Sequence, residues 1–414
     1  MHKIWLNTTL ALFLLWQGAA FAQPAMSRME NLGNQIFNDR ALSEPRGTSC
    51  ADCHIPQLGF AGNNGSRIGV ALGSKPTSLG GRNAMSNAYT AFTPPFHYRV
   101  EGADVDAVGG FFWDGRADTA AQQAVMPLLN PLEMNNPDAA AVLKKIATAP
   151  YAKAFKEEFG AQIFNNPALA FQKVGEAIAA FEKTPPLQAF SSKYDQFIQG
   201  KAKLMPPELN GMKLFMDANK GNCASCHTMN PNSANPKDSL FTDFAYYATG
   251  IPRNKAIPRN ANPSFFDLGL CGPDRTRPAL TNQVPASVTI EDFCGKFRMV
   301  SLRNSAEKNA YMHNGFFKNL RDVVSFYATR NSNPQRWYGP AGVPNDLPNA
   351  YLRNIVNDRV PFNRTVSAGP ALSEREIDDV VAFMKTLSDT QLAPTQGPRP
   401  PPQPGGLNNP FGLP

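Results

Sequence analysis

Two five-residue segments, Cys50-Ala51-Asp52-Cys53-His54 and Cys223-Ala224-Ser225-Cys226-His227, carry the same Cys-x-x-Cys-His pattern, one in each half of a 414-residue chain. Two thiols followed at once by a histidine form the attachment pattern for c-type haem: thioether links fix the porphyrin, and the histidine is placed to ligate the iron. A four-cysteine zinc site usually separates its pairs by roughly 12–20 residues. Here about 170 residues intervene, and a zinc site would leave both histidines without a role. A thioredoxin-like pair needs a strand–helix–strand setting, which the flanking sequence does not offer. Two covalent haems are the expectation.

The repetition extends beyond these motifs. An apolar segment precedes each, "LGNQIF" and "LNGMKLF", and an Arg-Asn pair follows each, Arg82-Asn83 and Arg303-Asn304. After each pair comes an aromatic-rich turn, Trp113 to Gly115 ("WDG") and His313 to Gly315 ("HNG"). A duplicated unit explains this economically, and the length itself points to two cores. The division expected is a signal peptide at 1–22, an N-terminal domain at 23–200, a C-terminal domain at 201–390 and a Pro/Gly-rich disordered tail at 391–414.

The fold class expected is mainly α, with long irregular loops and few strand signals. Residues 138–159 and 167–183 read as helical, the second with Val174, Ile178 and Phe181 on one face. "LSEREIDDVVAFMKTL" opens with Ser373 and Glu376 in capping-box spacing and aligns Ile377, Val380, Val381, Met384 and Leu387.

Met1-His2-Lys3, the run "LALFLLWQGAAFA" and Ala20-Phe21-Ala22 form a cleavable export signal. Its apolar run is shorter than the roughly 20 residues a membrane span needs. The expected location is therefore periplasmic. Net charge is +7, but the basic residues are scattered, which argues against nucleic acid and leaves an acidic protein partner open. Cys271 and Cys294 remain after the two motifs, and in an oxidising compartment a disulfide is expected between them.

With both Cys-x-x-Cys-His motifs, "RN", "FWDGRA", "QxxxxPLxNPxEM", "LRN", "YMHNGxFxxL" and "VVxFY" in hand, the chain resembles the bacterial di-haem cytochrome c peroxidase/MauG family over nearly its whole mature length. The resemblance implies two tandem cytochrome c-like domains, a first haem that reacts with hydrogen peroxide and a second that exchanges electrons. Cys50, Cys53 and His54 would hold the first; Cys223, Cys226 and His227 the second. Trp113 would lie between the haems as a relay. Gln123 and Glu133 would be the distal pair, the amide orienting peroxide and the carboxylate moving a proton between its oxygens. The family's calcium ion would take the Asn83 side chain and the backbone carbonyls of Lys308 and Ala310, ligands that demand little of side chains at the last two positions.

Departures from the pattern carry information too. Classical members place a second histidine ligand for the first haem seven residues before the Arg-Asn pair, where this chain has Lys75. The first haem is therefore expected to be open, with His97 as a candidate replacement ligand. The second haem's sixth ligand falls at Tyr327, as in the MauG branch, where a phenolate suits the storage of an oxidising equivalent; Met299 and Met312 compete for that role. The MauG branch also has a surface tryptophan two residues before the second motif, and here Gly221 stands in its place. The function expected is peroxide-dependent oxidation of a protein partner, as protein tailoring or as cytochrome c peroxidase activity. The alternative is a non-catalytic di-haem electron carrier. A homodimer is compatible with the sequence.

Overall fold

Ser27 starts the first helix, Arg28–Asn38, by a reciprocal cap: its Oγ accepts from the Glu30 N–H, and the Glu30 carboxylate accepts from the Ser27 N–H. The buried stripe of this helix is Leu32, Gly33, Ile36 and Phe37. It crosses the helix Pro167–Phe181 so closely that a Cβ on Gly33 would overlap the Ala177 carbonyl oxygen. The second half repeats the device. Helix Pro206–Met216 crosses helix Glu374–Lys385, and a Cβ on Gly211 would overlap the Asp379 carbonyl oxygen. The two apolar segments that precede the Cys-x-x-Cys-His motifs are thus equivalent helices, each seated on a long helix later in its own half.

The computed structural model describes residues 25–390, so the expected signal peptide and tail lie outside the described residues. One core gathers Leu32, Phe37, Leu128, Val142, Phe155 and Val174, all from the first half. The other gathers Tyr194, Phe215, Phe241, Phe326, Phe383 and Leu387, largely from the second. Helices dominate, with long loops between them. The span read as one helix over 138–159 is two, Ala139–Ala147 and Ala152–Phe159. Pro150 sits in the break, and a proline both lacks an N–H and pushes the residue before it out of the helical region. Helix Glu374–Lys385 carries the expected Ser373–Glu376 box, but Phe383 is fully buried while Val381 is only half-buried.

Strand is confined to two small antiparallel ribbons among the described residues, His97–Glu101 with Asp104–Val108 and Tyr246–Tyr247 with Phe297–Arg298. Cys271 and Cys294 are disulfide-bonded. The loop between them presses Leu280, Val284, Val288 and Ile290 onto a cluster of Tyr98, Tyr246 and Phe293, which joins the first-half ribbon to the second half.

The two aromatic turns are also equivalent. Phe111 N–H donates to the Ala117 carbonyl at 2.7 Å and Tyr311 N–H to the Phe317 carbonyl at 3.0 Å, closing the loops around Trp113-Asp114-Gly115 and His313-Asn314-Gly315. Phe112 and Met312 both have positive φ, 65° and 68°, as do Gly115 and Gly315. Tertiary closure must hold Phe112 and Met312 there, since a left-handed backbone is unfavourable for such side chains.

The helix crossings supply a direct test. Gly33→Ala and Gly211→Ala should each lower stability by about 1–3 kcal/mol through overpacking, read by guanidinium unfolding of the holoprotein. Helix propensity alone would raise stability by up to about 1 kcal/mol, so a rise would show that the crossings are not tight.

Candidate functional site

Each Cys-x-x-Cys-His motif is folded locally before it reaches its cavity. Asp52, between the first two cysteines, accepts from both the N–H and the hydroxyl of Ser49 at 2.9 Å and pairs with Arg40 at 2.5 Å. The His54 N–H then returns to the Cys50 carbonyl at 3.0 Å, as the His227 N–H does to the Cys223 carbonyl at 2.8 Å. The imidazoles match as well: His54 Nδ1 donates to the Phe60 carbonyl at 3.1 Å and His227 Nδ1 to the Phe241 carbonyl at 2.9 Å. A carbonyl only accepts, so Nδ1 carries the hydrogen and Nε2 keeps its lone pair. Burial lowers both imidazoles to a pKa of about 4, so both rings are neutral.

The two motifs line separate cavities, the first with Cys50, Cys53 and His54, the second with Cys223, Cys226 and His227. A shared four-cysteine metal site is thereby ruled out for these residues. Burial pushes the Cys50 and Cys223 thiols up to about 12 and raises those of Cys53 and Cys226.

Gln123 and Glu133 both line the first cavity. Gln123 stands on helix Ala120–Leu129, which Thr119 and Gln122 cap reciprocally. Asn130 ends the helix, accepts from the Leu132 N–H at 3.0 Å and donates to Glu133 Oε1 at 2.9 Å. Enclosure raises the Glu133 carboxyl above the ordinary range, while Arg116 and Asn130 pull it back. Arg116 is itself fixed by Asp114 at 3.0 Å and lies 3.5 Å over the Phe112 ring. Arg116 and Asn130 are letters of the "FWDGRA" and "NPxEM" motifs, but the sequence alone assigns neither a role. Lys75 is exposed, and so is His97, whose Nδ1 donates to the Pro95 carbonyl at 2.9 Å; neither lines the cavity.

Trp113 lines both cavities. Its indole N–H donates to the Asn83 carbonyl at 2.8 Å, and its ring meets His313 edge-on with centroids 6.5 Å apart. Arg298 also lines both cavities and hydrogen-bonds the Trp113 and Phe112 carbonyls through its backbone and side chain. Arg298 and Lys308 have no carboxylate within ion-pair distance among the described residues, and burial lowers both pKa values, that of Lys308 to about 8. Buried cations without counter-ions fit a ligand that brings its own carboxylates.

The second cavity brings Tyr327 together with Met312, the phenol 3.9 Å from the thioether sulfur, and Met299 is in the same wall. Burial raises the Tyr327 pKa, so the phenol stays protonated unless a cation is bound beside it. His313 stacks on Phe297 with ring centroids 3.7 Å apart and comes within 3.4 Å of Asp346.

For calcium, the structure brings two of the three expected ligands into contact. The Asn83 amide lies 3.1 Å from the Ala310 carbonyl and 3.2 Å from that of Met312. The Lys308 carbonyl accepts from the Tyr311 hydroxyl at 2.9 Å. With the amide turned the other way, an assignment hydrogen bonding alone decides, Asn83 Oδ1 and the Ala310 carbonyl would stand near the spacing of adjacent calcium ligands.

Glu182, at the end of helix Pro167–Phe181, looks like a solvated acid in sequence but is buried against the first cavity, where Asn87 donates to it at 2.8 Å. Burial pushes its pKa from 4.5 up to about 8. Between these values the unfolded chain is ionised and the folded one is not, so Glu182 stabilises fully below pH 4.5 and loses that contribution as pH rises to about 8. Across that window wild type should lose on the order of 5 kcal/mol relative to Glu182→Gln, at about 1.4 kcal/mol per unit. Guanidinium unfolding of the two holoproteins from pH 4 to 9 checks this; parallel pH profiles would contradict it.

Comparison with known proteins fits this geometry. Residues 27–203 match the family model described as di-haem cytochrome c peroxidase. The chain is 34% identical over 380 residues to the methylamine utilization protein MauG of Paracoccus denitrificans, covering 90% of this chain and 92% of that one. It is 26% identical over 339 residues to the cytochrome c551 peroxidase of Pseudomonas aeruginosa, 80% of each chain. The crystal structure of the diheme peroxidase BthA from Burkholderia thailandensis superposes with a TM-score of 0.80 at 39% identity, covering 87% of this chain and 86% of that one. Two matched Cys-x-x-Cys-His cavities, a likeness to MauG along nearly the full chain and a shared fold with a diheme peroxidase establish that this chain belongs to the di-haem cytochrome c peroxidase/MauG family.

Proposed function

We propose that the chain is a periplasmic di-haem enzyme, exported by cleavage of residues 1–22, that uses hydrogen peroxide to oxidise a protein partner. The observation that carries this reading is the asymmetry of the two cavities: the first pairs His54 with an acid and an amide, and the second pairs His227 with Tyr327. An electron carrier has no use for a distal acid. No helix among the described residues is long and apolar enough to cross a membrane.

Neutral imidazoles, neutral thiols and uncompensated cations fit haem in both cavities. When bound, the two haems supply the iron centres that react with peroxide and exchange electrons. His54 and His227 would ligate them, and Tyr327, which lines the second cavity, would offer its phenol to the second. Arg298 and Lys308 are placed to meet propionates. Gln123 orients peroxide by hydrogen bonding. Glu133 takes the proton from one peroxide oxygen and delivers it to the departing one, a task for which a raised pKa is suited. Trp113, shared by both cavities, is the electron relay between them. Asn83 with the carbonyls of Ala310 and Lys308 holds calcium. Each half, 23–200 and 201–390, is a cytochrome c-like unit, supported by the repeated helix crossing and the repeated turn. With Gly221 where the MauG branch has tryptophan, the electron route to the partner differs from the route there.

The distal pair supplies the test. Glu133→Gln should slow the peroxide-induced change in the Soret band by about 100-fold or more, the usual range for removal of a general acid–base group, with both haems still attached. An unchanged stopped-flow rate would take Glu133 out of the reaction.

A further inference from the structure

Three tyrosines line the second cavity: Tyr247, Tyr311 and Tyr327. The Tyr311 hydroxyl donates to the carbonyls of Ser305 and Lys308, and that of Tyr327 meets the sulfur of Met312. None of these acceptors can take up a proton. Tyr247 differs, because its hydroxyl donates to Asp243 Oδ2 at 2.6 Å. The carboxylate is fixed in place: its other oxygen accepts from the Ala245 N–H at 2.9 Å, and the Asp243 N–H donates to the Cys226 carbonyl at 3.0 Å. The phenol also lies against the Cys226 sulfur. Tyr247 is half-buried and interacts with the exposed Arg359, whereas its neighbour Tyr246 is buried, with its hydroxyl on the Gly109 carbonyl.

We propose that Tyr247, with Asp243 as its proton acceptor, is the redox exit through which oxidising equivalents leave the second cavity for a one-electron donor at the surface. This rests on the peroxide-dependent reading above. An oxidised phenol is a far stronger acid than the neutral one, so a tyrosine works as a relay when a base waits on its hydroxyl. Tyr247 gives one electron toward the second cavity and its proton to Asp243, leaving a neutral phenoxyl radical. The donor returns one electron, Asp243 returns the proton, and the phenol is restored. Two such turns consume the two oxidising equivalents of one hydrogen peroxide. Burial raises the Asp243 pKa, which favours proton uptake.

The test mixes holoenzyme with hydrogen peroxide, without any donor, and freeze-quenches it for electron paramagnetic resonance while the Soret band is followed in parallel. A tyrosyl signal is expected in wild type and in Tyr311→Phe, lost in Tyr247→Phe and delayed in Asp243→Asn, with the Soret response retained in all four. A normal Soret response with no tyrosyl signal, or with a signal that survives Tyr247→Phe, overturns the relay and leaves the peroxide reading intact. A Soret band that ignores peroxide overturns both. Independently of any variant, a nitrone radical trap added to wild type should be found on Tyr247 by peptide mass spectrometry; adducts only elsewhere would contradict the proposal.

Discussion

The two halves meet where the aromatic turns lie back to back, and both cavities take their shared wall from that contact. The Trp113 indole N–H to the Asn83 carbonyl, the Asn83 backbone N–H to the His313 carbonyl at 2.8 Å and the Arg298 backbone N–H to the Trp113 carbonyl at 2.8 Å form one connected set of bonds. Gly69 and Gly315 press together so tightly that a Cβ on either would overlap the other's backbone. Because buried polar groups must be paired, a shift of one turn would break bonds in both halves. The tryptophan is therefore held by the second half as firmly as by the first.

The arginine of the first Arg-Asn pair sets this contact from behind, and that of the second is buried on a carboxylate away from the turns. Arg82 is buried on Asp114 at 2.6 Å, inside the first turn, and on Asp267 at 2.7 Å from the second half. Arg303 is fully buried on Asp195 at 2.8 Å. Removing one member of such a pair leaves a buried charge uncompensated and costs about 3–5 kcal/mol. Arg82 also lines the first cavity but is paired with carboxylates, whereas Arg298 and Lys308 have none within ion-pair distance among the described residues.

Much of this was legible because it repeats. The two motifs, the two Arg-Asn pairs and the two turns are all visible as strings; the motifs and the turns are local devices, closed by hydrogen bonds a few residues apart, whereas the Arg-Asn pairs act on partners far away in sequence. Gln123 and Glu133 were legible through a family resemblance and lie in one cavity. Long-range placement was not legible. Glu182 reads as a surface acid at a helix end, and only the packing of Asn87 against it makes it a buried one. Tyr247 sits in "FAYYATG" beside a second tyrosine, and nothing local says that one faces a carboxylate and the other a carbonyl. Phe383 displaced Val381 from the buried face because the aromatic cluster it joins, Tyr194, Phe215 and Phe241, comes from three other segments. The break at Pro150, by contrast, is written in the sequence, where a proline interrupts alanine-rich periodicity.

The central claim is that one tryptophan couples two chemically different cavities. Stopped-flow mixing of Trp113→Phe holoenzyme with hydrogen peroxide, with the Soret band of each haem resolved, tests it most directly. Phenylalanine keeps most of the packing area but is much harder to oxidise, so the first haem should respond at the wild-type rate while the response of the second is delayed or lost. A second haem that responds as fast as in wild type would show that Trp113 only fills space between the cavities.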